Sequence, residues 1–193
     1  ALLSKHADKF DADAKTALAA FLGIAAPTTP STGGTTTVTP PKPTGSTLPI
    51  ASDPTVLKKH EGSVTYSNIP GAQLFKDGVS YDDVMQGSIG DCYLVGALSS
   101  VAYSDPKAIE NCIKDNGDGT YTVRFFKKAA SGKMEPQYIR IDGDVPSAYA
   151  GGTSRYAKSR DSKELWVSLI EKAYASWKGG FEAIGNGGYP TEV

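Results

Sequence analysis

The chain has 193 residues and a formal net charge of −1, with 39% hydrophobic and 21% charged residues. This composition is typical of a globular domain diluted by polar sequence, and the near-zero charge argues against binding to nucleic acid or an anionic membrane. No apolar run approaches the roughly 20 residues that a transmembrane helix needs. Cys92 and Cys112 are too few for a disulfide framework, and two histidines without a paired cysteine motif argue against a zinc site.

The first fifty residues predict a helix followed by a linker. Apolar residues recur with a helical period over residues 4–22, and Gly23 supplies a stop. Residues 26–49 are almost wholly Pro, Thr, Gly and Ser, a composition that cannot bury enough apolar surface to order itself. We therefore divide the chain into an N-terminal helix (1–25), a linker (26–50) and a globular part (51–193). The helix is either a tail or docking element, or a propeptide that covers a site.

The sequence leaves localisation unknown. The start "ALLSKHADKF" has neither the basic region nor the apolar core of an export signal, although one could have been removed earlier. The Pro/Thr linker weakly favours a bacterial, exported protein.

The first half of the globular part predicts short elements around a buried helix. Residues 63–70 predict an edge strand, and residues 72–84 predict a loop. The apolar run from Leu94 to Val101 predicts a buried helix that ends at "SDP" (104–106), and a second helix is expected around 106–114.

The second half predicts a hairpin and a long helix. "NGDG" (116–119) predicts a turn, and the alternating residues 120–128 and 136–146 predict two paired strands. A calcium loop at this turn is excluded, since its twelfth position from Asp115 is Phe126 rather than a glutamate. Residues 149–162 have the composition of a mobile loop. Residues 162–180 predict an amphipathic helix ended by two glycines, whose apolar side is expected in the core: Leu165, Trp166, Leu169, Ala173 and Trp177.

The stretch "QGSIGDCYLVGAL" (86–98) places Cys92 at the expected start of the buried helix. Unpaired backbone N–H groups and the helix dipole stabilise a thiolate there, Gly87 and Gly90 permit a close approach, and Asp91 can cap the helix. The side-chain amide of Gln86 could reach an oxyanion on a substrate carbonyl. Because free cysteines are often simply buried, spacing alone leaves nucleophile and core residue as open alternatives.

Three ordered motifs carry a resemblance to a known family. "QGSIGDCYL" resembles the active-site motif of the calpain family of papain-like cysteine proteases, within a longer match over residues 74–102. "GTYTVRFFKK" with "QYIRIDGDVP" is similar to the family's hairpin, and residues 163–188 are similar to its helix and following glycines. The resemblance runs from about residue 70 to 193. It implies an α+β papain-like fold, with a Cys-bearing helical subdomain and a β-hairpin.

This resemblance implies that Cys92 is the nucleophile, and that Gln86 and the Cys92 backbone N–H form the oxyanion hole. In the family a histidine base and an orienting asparagine follow on a second subdomain, in "GHAY"-like and "NPWG"-like motifs. Neither motif occurs here, and His6 and His60 both precede Cys92. We therefore expect the first half of a protease core, whose second half is a separate chain after autolytic cutting, is missing by truncation, or is absent because the protein is a pseudoprotease. Asn186 has no motif support as the orienting residue.

The resemblance also implies two further sites. Calcium would be bound by the carbonyls of Lys76 and Gly78 and the carboxylates of Asp83 and Glu164; otherwise Asp83 caps a turn and Glu164 starts a helix. No other cofactor is expected. In the family, glycines matching Gly187 and Gly188 line the substrate cleft, and the alternative is an ordinary loop. Tyr93 replaces the family's usual tryptophan and still offers an aromatic wall.

The sequence as a whole therefore predicts a cysteine endopeptidase that acts on polypeptides and is inactive without the second half. A calpain-fold pseudoprotease that binds peptides or a partner is the main alternative, and an acyl-transfer enzyme with the same cysteine chemistry is a third.

Overall fold

The computed structural model describes residues 47–189, so the predicted helix 4–22 and most of the predicted linker lie outside the described residues. The helices in this range are α1 (Cys92–Ser104), α2 (Pro106–Cys112), α3 (Trp166–Lys178) and α4 (Phe181–Ile184), with 3-10 turns at Lys58–His60 and Tyr81–Asp83. The strands are β1 (Thr65–Ser67), β2 (Val84–Met85), β3 (Ile113–Asp115), β4 (Thr120–Lys128), β5 (Met134–Asp142), β6 (Val145–Ser147) and β7 (Lys158–Ser159). This mixture of helices and small sheets agrees with the expected α+β class.

The largest sheet has the order β3-β4-β5 and is antiparallel throughout. The predicted hairpin is confirmed, with Val123 opposite Ile139 in the register of β4 and β5. Its "NGDG" turn is built as expected, because Gly117 has a φ of 80° and its N–H donates to Asp115 Oδ1 at 2.7 Å. The second helix ends earlier than predicted, since Ile113–Asp115 leaves α2 to pair with β4.

Two shorter ladders lie outside this sheet. β1 pairs with β6 and β2 pairs with β7, both antiparallel. The end of the segment predicted as linker also contacts β5, because Ile50 forms a parallel bridge with Arg140. The N–H of the next residue, Ala51, donates to the Arg140 carbonyl at 2.7 Å. The Arg140 guanidinium donates in turn to the Leu48 carbonyl at 2.9 Å.

Helices α1 and α3 contribute much of the buried core. α3 begins at Trp166, four residues later than predicted, because the backbone before it is bound to another loop: the Leu165 N–H donates to the Gln73 carbonyl. The helix ends at Gly179, whose φ of 97° is the left-handed conformation expected of a C-terminal glycine. Trp166 is fully buried, as predicted, and Trp177 is partly buried and stacks on Phe125.

The segment 149–162 differs from the expected mobile loop. Its second half is buried at Ser154, Tyr156, Ala157 and Ser159, and it includes β7. Helix α3 satisfies its backbone, since Ser168 Oγ donates to the Ala157 carbonyl at 2.9 Å. The Gly and Ser content therefore reflects tight packing rather than mobility. Among residues 47–189, no helix is long and apolar enough to cross a membrane.

Candidate active site

Cys92 is the first residue of α1 and its side chain is exposed. The other thiol, Cys112, is fully buried, and burial raises its pKa to about 12. A thiol in that environment stays protonated and inert. Of the two cysteines, Cys92 is therefore the one that can react with a molecule in solution.

The loop before Cys92 is held between two other segments of backbone. A Cβ on Gly87 would clash with the carbonyl oxygens of Arg155 and Tyr156, and one on Gly90 would lie 2.5 Å from the Gly185 carbonyl oxygen. The Ser88 N–H donates to the Arg155 carbonyl at 3.0 Å, and the Gly187 N–H donates to the Gly90 carbonyl at 2.8 Å. The close approach predicted for these two glycines is therefore present, and it fixes where α1 begins.

Asp91 does not cap α1 with its side chain, contrary to the sequence-based prediction. It occupies the N-cap position, and its carbonyl accepts from the N–H groups of Leu94 and Val95, but its side chain accepts no first-turn N–H. The carboxyl group instead turns inward and is fully buried beside Glu171 of α3. The first-turn N–H groups next to Cys92 are thus left without a side-chain cap.

Gln86 lies on the same loop with an exposed side chain. Its Nε2 donates to the Ile89 carbonyl at 2.9 Å, which folds the amide back over the loop that leads to Cys92. A primary amide has two N–H groups, one of which is used in this contact, and the Gln86 side chain also interacts with the buried Asp91 carboxyl.

The predicted cleft glycines follow α4 and reach the start of α1. Asn186 pairs with Gly90 in a parallel bridge, and Gly187 and Gly188 are exposed next to it. Gly187 has a φ of 82°, and open space surrounds the position that a Cβ would take. The structure therefore brings the predicted nucleophile and the Gly187 segment to the same edge of the molecule.

His60 is the one histidine in the described part of the chain, and its side chain is buried against Tyr156. It is 6% exposed, its Nδ1 lies 3.2 Å from the Tyr156 hydroxyl, and the two rings stack at 5.6 Å. Burial, followed by the charge of Arg155, lowers the pKa of His60. Asn186 donates to the Glu182 carbonyl at 3.0 Å, a contact that ends α4. These contacts give both side chains a local structural role.

Comparison with known proteins decides the family. The sequence profile described as "Calpain family cysteine protease" matches residues 61–192, more than half of the chain. The chain belongs to the calpain family of cysteine proteases.

Several curated calpains are similar to this chain. The calpain-type cysteine protease DEK1 of Zea mays is 35% identical over 117 residues, which cover 59% of this chain and 5% of that protein. Calpain-A of Drosophila melanogaster is 32% identical over 120 residues (60% and 14%), and the calpain-2 catalytic subunit of Bos taurus is 27% identical over 125 residues (62% and 17%). The matched part of the chain thus spans less than a fifth of the length of each of these calpains.

The predicted calcium ligands of this calpain-family chain lie in one region. Glu164 is 4% exposed, and its Oε1 accepts from the Lys76 N–H at 3.0 Å. Burial, and then the charge of Asp83, raises the pKa of Glu164, which places the two carboxylates near each other. Asp83 also accepts from the Ser80 N–H, as the capping alternative predicted, and Gly78 lies on the loop between them with a φ of 92°. Two carboxylates together with the backbone carbonyls of Lys76 and Gly78 are the kind of oxygen donors that fit calcium.

Sequence reasoning missed a second charged cluster, around Lys172 of α3. Its ammonium is ion-paired with Asp53 at 2.6 Å, with Asp142 at 2.5 Å and with Asp144. The three carboxylates are close enough together to hold a metal ion, but the ammonium already supplies the positive charge. The sequence does contain a feature that could have predicted this cluster: the charged pair Glu171-Lys172 lies within an otherwise apolar helix. Charged side chains in a buried helix need buried partners.

Proposed function

We propose that this chain carries the nucleophile half of a calpain-like cysteine endopeptidase. The observation that supports it best is the position of Cys92: exposed, at the start of a buried helix, beside first-turn N–H groups that no side chain caps. Such N–H groups favour negative charge, both on a thiolate and on the oxygen of an attacked carbonyl. Family membership adds that this chemistry is peptide hydrolysis.

In the proposed reaction, the Cys92 thiolate attacks the carbonyl carbon of a substrate peptide bond. The Cys92 N–H and the side-chain amide of Gln86 donate to the oxyanion that forms. Collapse breaks the C–N bond and leaves a thioester on Cys92, while an imidazolium gives its proton to the leaving amine. Water then attacks the thioester and the same histidine takes its proton. The C–S bond breaks, the acid product leaves, and the Cys92 thiolate and the imidazolium are restored.

We further propose that the histidine and its orienting asparagine come from a second half of the protease core. His60 cannot serve readily, because its ring is buried against Tyr156. Gly187 and Gly188 are proposed to contact the backbone of an extended substrate, since their exposed segment is bound to Gly90 at the start of α1.

Calcium is proposed to bind at Asp83, Glu164 and the carbonyls of Lys76 and Gly78. There it would tie the loop that precedes β2 to the residues that precede α3, and this loop leads directly to Gln86 and Cys92. Thermal unfolding of the full chain with and without calcium tests the site. We expect calcium to raise the Tm of the wild-type chain but not that of Asp83→Asn/Glu164→Gln. An equal rise in both would show that Asp83 and Glu164 do not bind calcium.

A non-catalytic peptide-binding module is the alternative, and the observation that favours it is the absence of a histidine near Cys92 within residues 47–189. The deciding experiment uses the natural full-length protein, a peptidyl epoxysuccinyl inhibitor and a casein substrate. We expect covalent labelling at Cys92 and casein cleavage, both lost in Cys92→Ala. Cys112→Ala is the matched control and should keep both. A full-length protein that neither reacts nor cleaves would favour the binding module.

A further inference from the structure

Asp91 and Glu171 form a buried pair of carboxyl groups directly behind the nucleophile. Both side chains are 0% exposed, although one precedes α1 and the other lies in the middle of α3. The two oxygens of Glu171 accept from the Ala157 N–H, at 2.9 and 3.0 Å. Neither oxygen of Asp91 accepts a hydrogen bond from an N–H or O–H group of good geometry within residues 47–189. The side chains that interact with the Asp91 carboxyl are those of Glu171 and Gln86.

Two buried carboxylates in contact cannot both be ionised without a positive charge between them. Lys172 follows Glu171 in sequence, but successive helix positions point about 100° apart, and its ammonium is held by Asp53, Asp142 and Asp144. Burial, and then the negative charge of Asp91, raises the pKa of Glu171 well above its usual value. Burial also raises the pKa of Asp91. The pair therefore keeps a proton at a pH where exposed carboxyl groups have lost theirs.

The other titratable and charged groups around the pair do not supply a positive charge that would let both carboxyl groups ionise. Burial raises the pKa of both Tyr66 and Tyr156, so these hydroxyls stay neutral beside the pair. His60 contacts the Tyr156 hydroxyl, and burial, followed by the charge of Arg155, lowers the pKa of His60. Cys92 follows Asp91 directly and faces solution.

We propose that Asp91 and Glu171 share one proton and act together as a positioning pair for Cys92. Protonated Glu171 donates to Asp91 and holds the Asp91 side chain inward, away from the N–H groups that an N-cap aspartate ordinarily binds. The shared proton also removes one negative charge from beside the Cys92 thiolate. The catalytic consequence rests on the proposed function, whereas the shared proton is a property of the folded chain alone.

The pair makes stability depend on pH in a defined direction. Because the pKa of Glu171 is higher in the folded chain than in the unfolded chain (about 4.3), the stabilising contribution is complete below that value. It is lost as the pH rises toward and through the folded-state pKa. In this window one proton leaves on unfolding, so the unfolding equilibrium constant rises about tenfold per pH unit.

Glu171→Gln tests the shared proton, because an amide mimics the protonated acid: it donates to Asp91 and accepts from the Ala157 N–H. The measurement is urea unfolding of the full chain from pH 4.5 to 8.5, and Glu61→Gln is the control that removes one exposed carboxylate. We expect wild type and Glu61→Gln to lose stability relative to Glu171→Gln as the pH rises. Parallel stability curves for wild type and Glu171→Gln would overturn the proposal.

A second measurement follows the nucleophile itself and would not respond to a merely structural role of the pair. Iodoacetamide alkylation of Cys92 is followed by peptide mass spectrometry over the same pH range, since buried Cys112 stays unreactive in the folded chain. We expect equal rates for wild type and Glu171→Gln at low pH. At higher pH the wild type should become slower, by up to about tenfold, because a second negative charge forms beside the thiolate. A constant ratio of rates across the range would contradict the coupling to Cys92.

Neither measurement requires proteolysis, so the shared proton and the endopeptidase activity can fail separately. If casein is not cleaved but both pH effects are observed, the endopeptidase proposal is rejected and the carboxyl pair is kept.

Discussion

At the scale of single residues, the site depends on backbone contacts that leave no room for a side chain. Gly90 shows this most sharply: a Cβ there would lie 2.5 Å from the carbonyl oxygen of Gly185, and neither backbone can give way cheaply. The same residue accepts from the Gly187 N–H. A single methyl group at position 90 would therefore push the Gly187 segment away from the start of α1.

We predict that Gly90→Ala lowers the free energy of unfolding by about 1–3 kcal/mol, the range for overpacking a tight site. It should also change the alkylation rate of Cys92 by moving the first turn of α1. Urea unfolding and iodoacetamide kinetics measure the two effects.

Gly96→Ala is the matched control within the same helix. A Cβ at Gly96 meets nothing within 4 Å, so this substitution should raise stability by about 0.5–1 kcal/mol through helix propensity alone. Equal effects at positions 90 and 96 would mean that the contact with Gly185 does not constrain the loop.

At the scale of elements, α3 is the anchor of the fold, because charged side chains bind it to three other segments. Glu171 accepts from the Ala157 N–H. The Lys172 ammonium pairs with Asp53 and with two residues at the end of the hairpin, Asp142 (the last residue of β5) and Asp144. Burial by itself lowers the pKa of Lys172, but hydrogen bonds to the three carboxylates outweigh it and raise the pKa. This contribution to stability is therefore complete below about pH 10 and is lost only as the pH rises through the folded-state value.

We predict that Lys172→Met destabilises the chain strongly, because three carboxylates lose their common cation. The loss should lie at the lower end of the about 3–5 kcal/mol typical of breaking a buried ion pair. The reason is that Asp53 and Asp142 remain 36% and 45% exposed and can be solvated by water. Urea unfolding at pH 7 gives the value. Lys107→Met, which breaks an exposed pair with Glu110, is the control and should leave stability unchanged within error.

Elements with a local signal could be predicted from the sequence. The helix of Cys92, the hairpin of β4 and β5 and the stop at Gly179 all follow from hydrophobic period, turn residues and glycine within a few positions of each element. The glycines around Cys92 could also be predicted as close approaches, although their partners could not.

Features that depend on partners distant in sequence could not be predicted. Asp91 would cap a helix by local rules, but Glu171, eighty positions later, offers it a buried partner. Strand β3 continues α2 in sequence and becomes extended because β4 lies beside it. The residues around Tyr156 have the composition of a mobile loop, and they are buried because α3 supplies hydrogen bonds to their backbone. In each case tertiary contact overrides the local preference.

At the scale of the whole molecule, the described part of the chain holds the proposed nucleophile on tightly bound loops, but its one histidine contacts Tyr156 and not the thiol. His60 is buried with Tyr156, whose hydroxyl also accepts from the Leu57 N–H at 3.0 Å. This cluster joins the Lys58–His60 turn to the segment that contacts Gly87. His60 therefore belongs to the scaffold that supports the Cys92 loop, and the proposed base belongs to another part of the protease.

This division of roles predicts the behaviour of His60→Phe in the natural full-length protein. Phenylalanine keeps the stacking on Tyr156 and removes the contact with its hydroxyl, so the Tm should fall modestly while kcat/KM for casein stays within about threefold of wild type. Loss of a general base costs at least about a hundredfold. The comparison is made below the Tm of the variant, with Cys92→Ala as the inactive reference. A hundredfold fall in kcat/KM with an intact fold would instead make His60 the base, and the nucleophile and base would then both lie within the 193 residues.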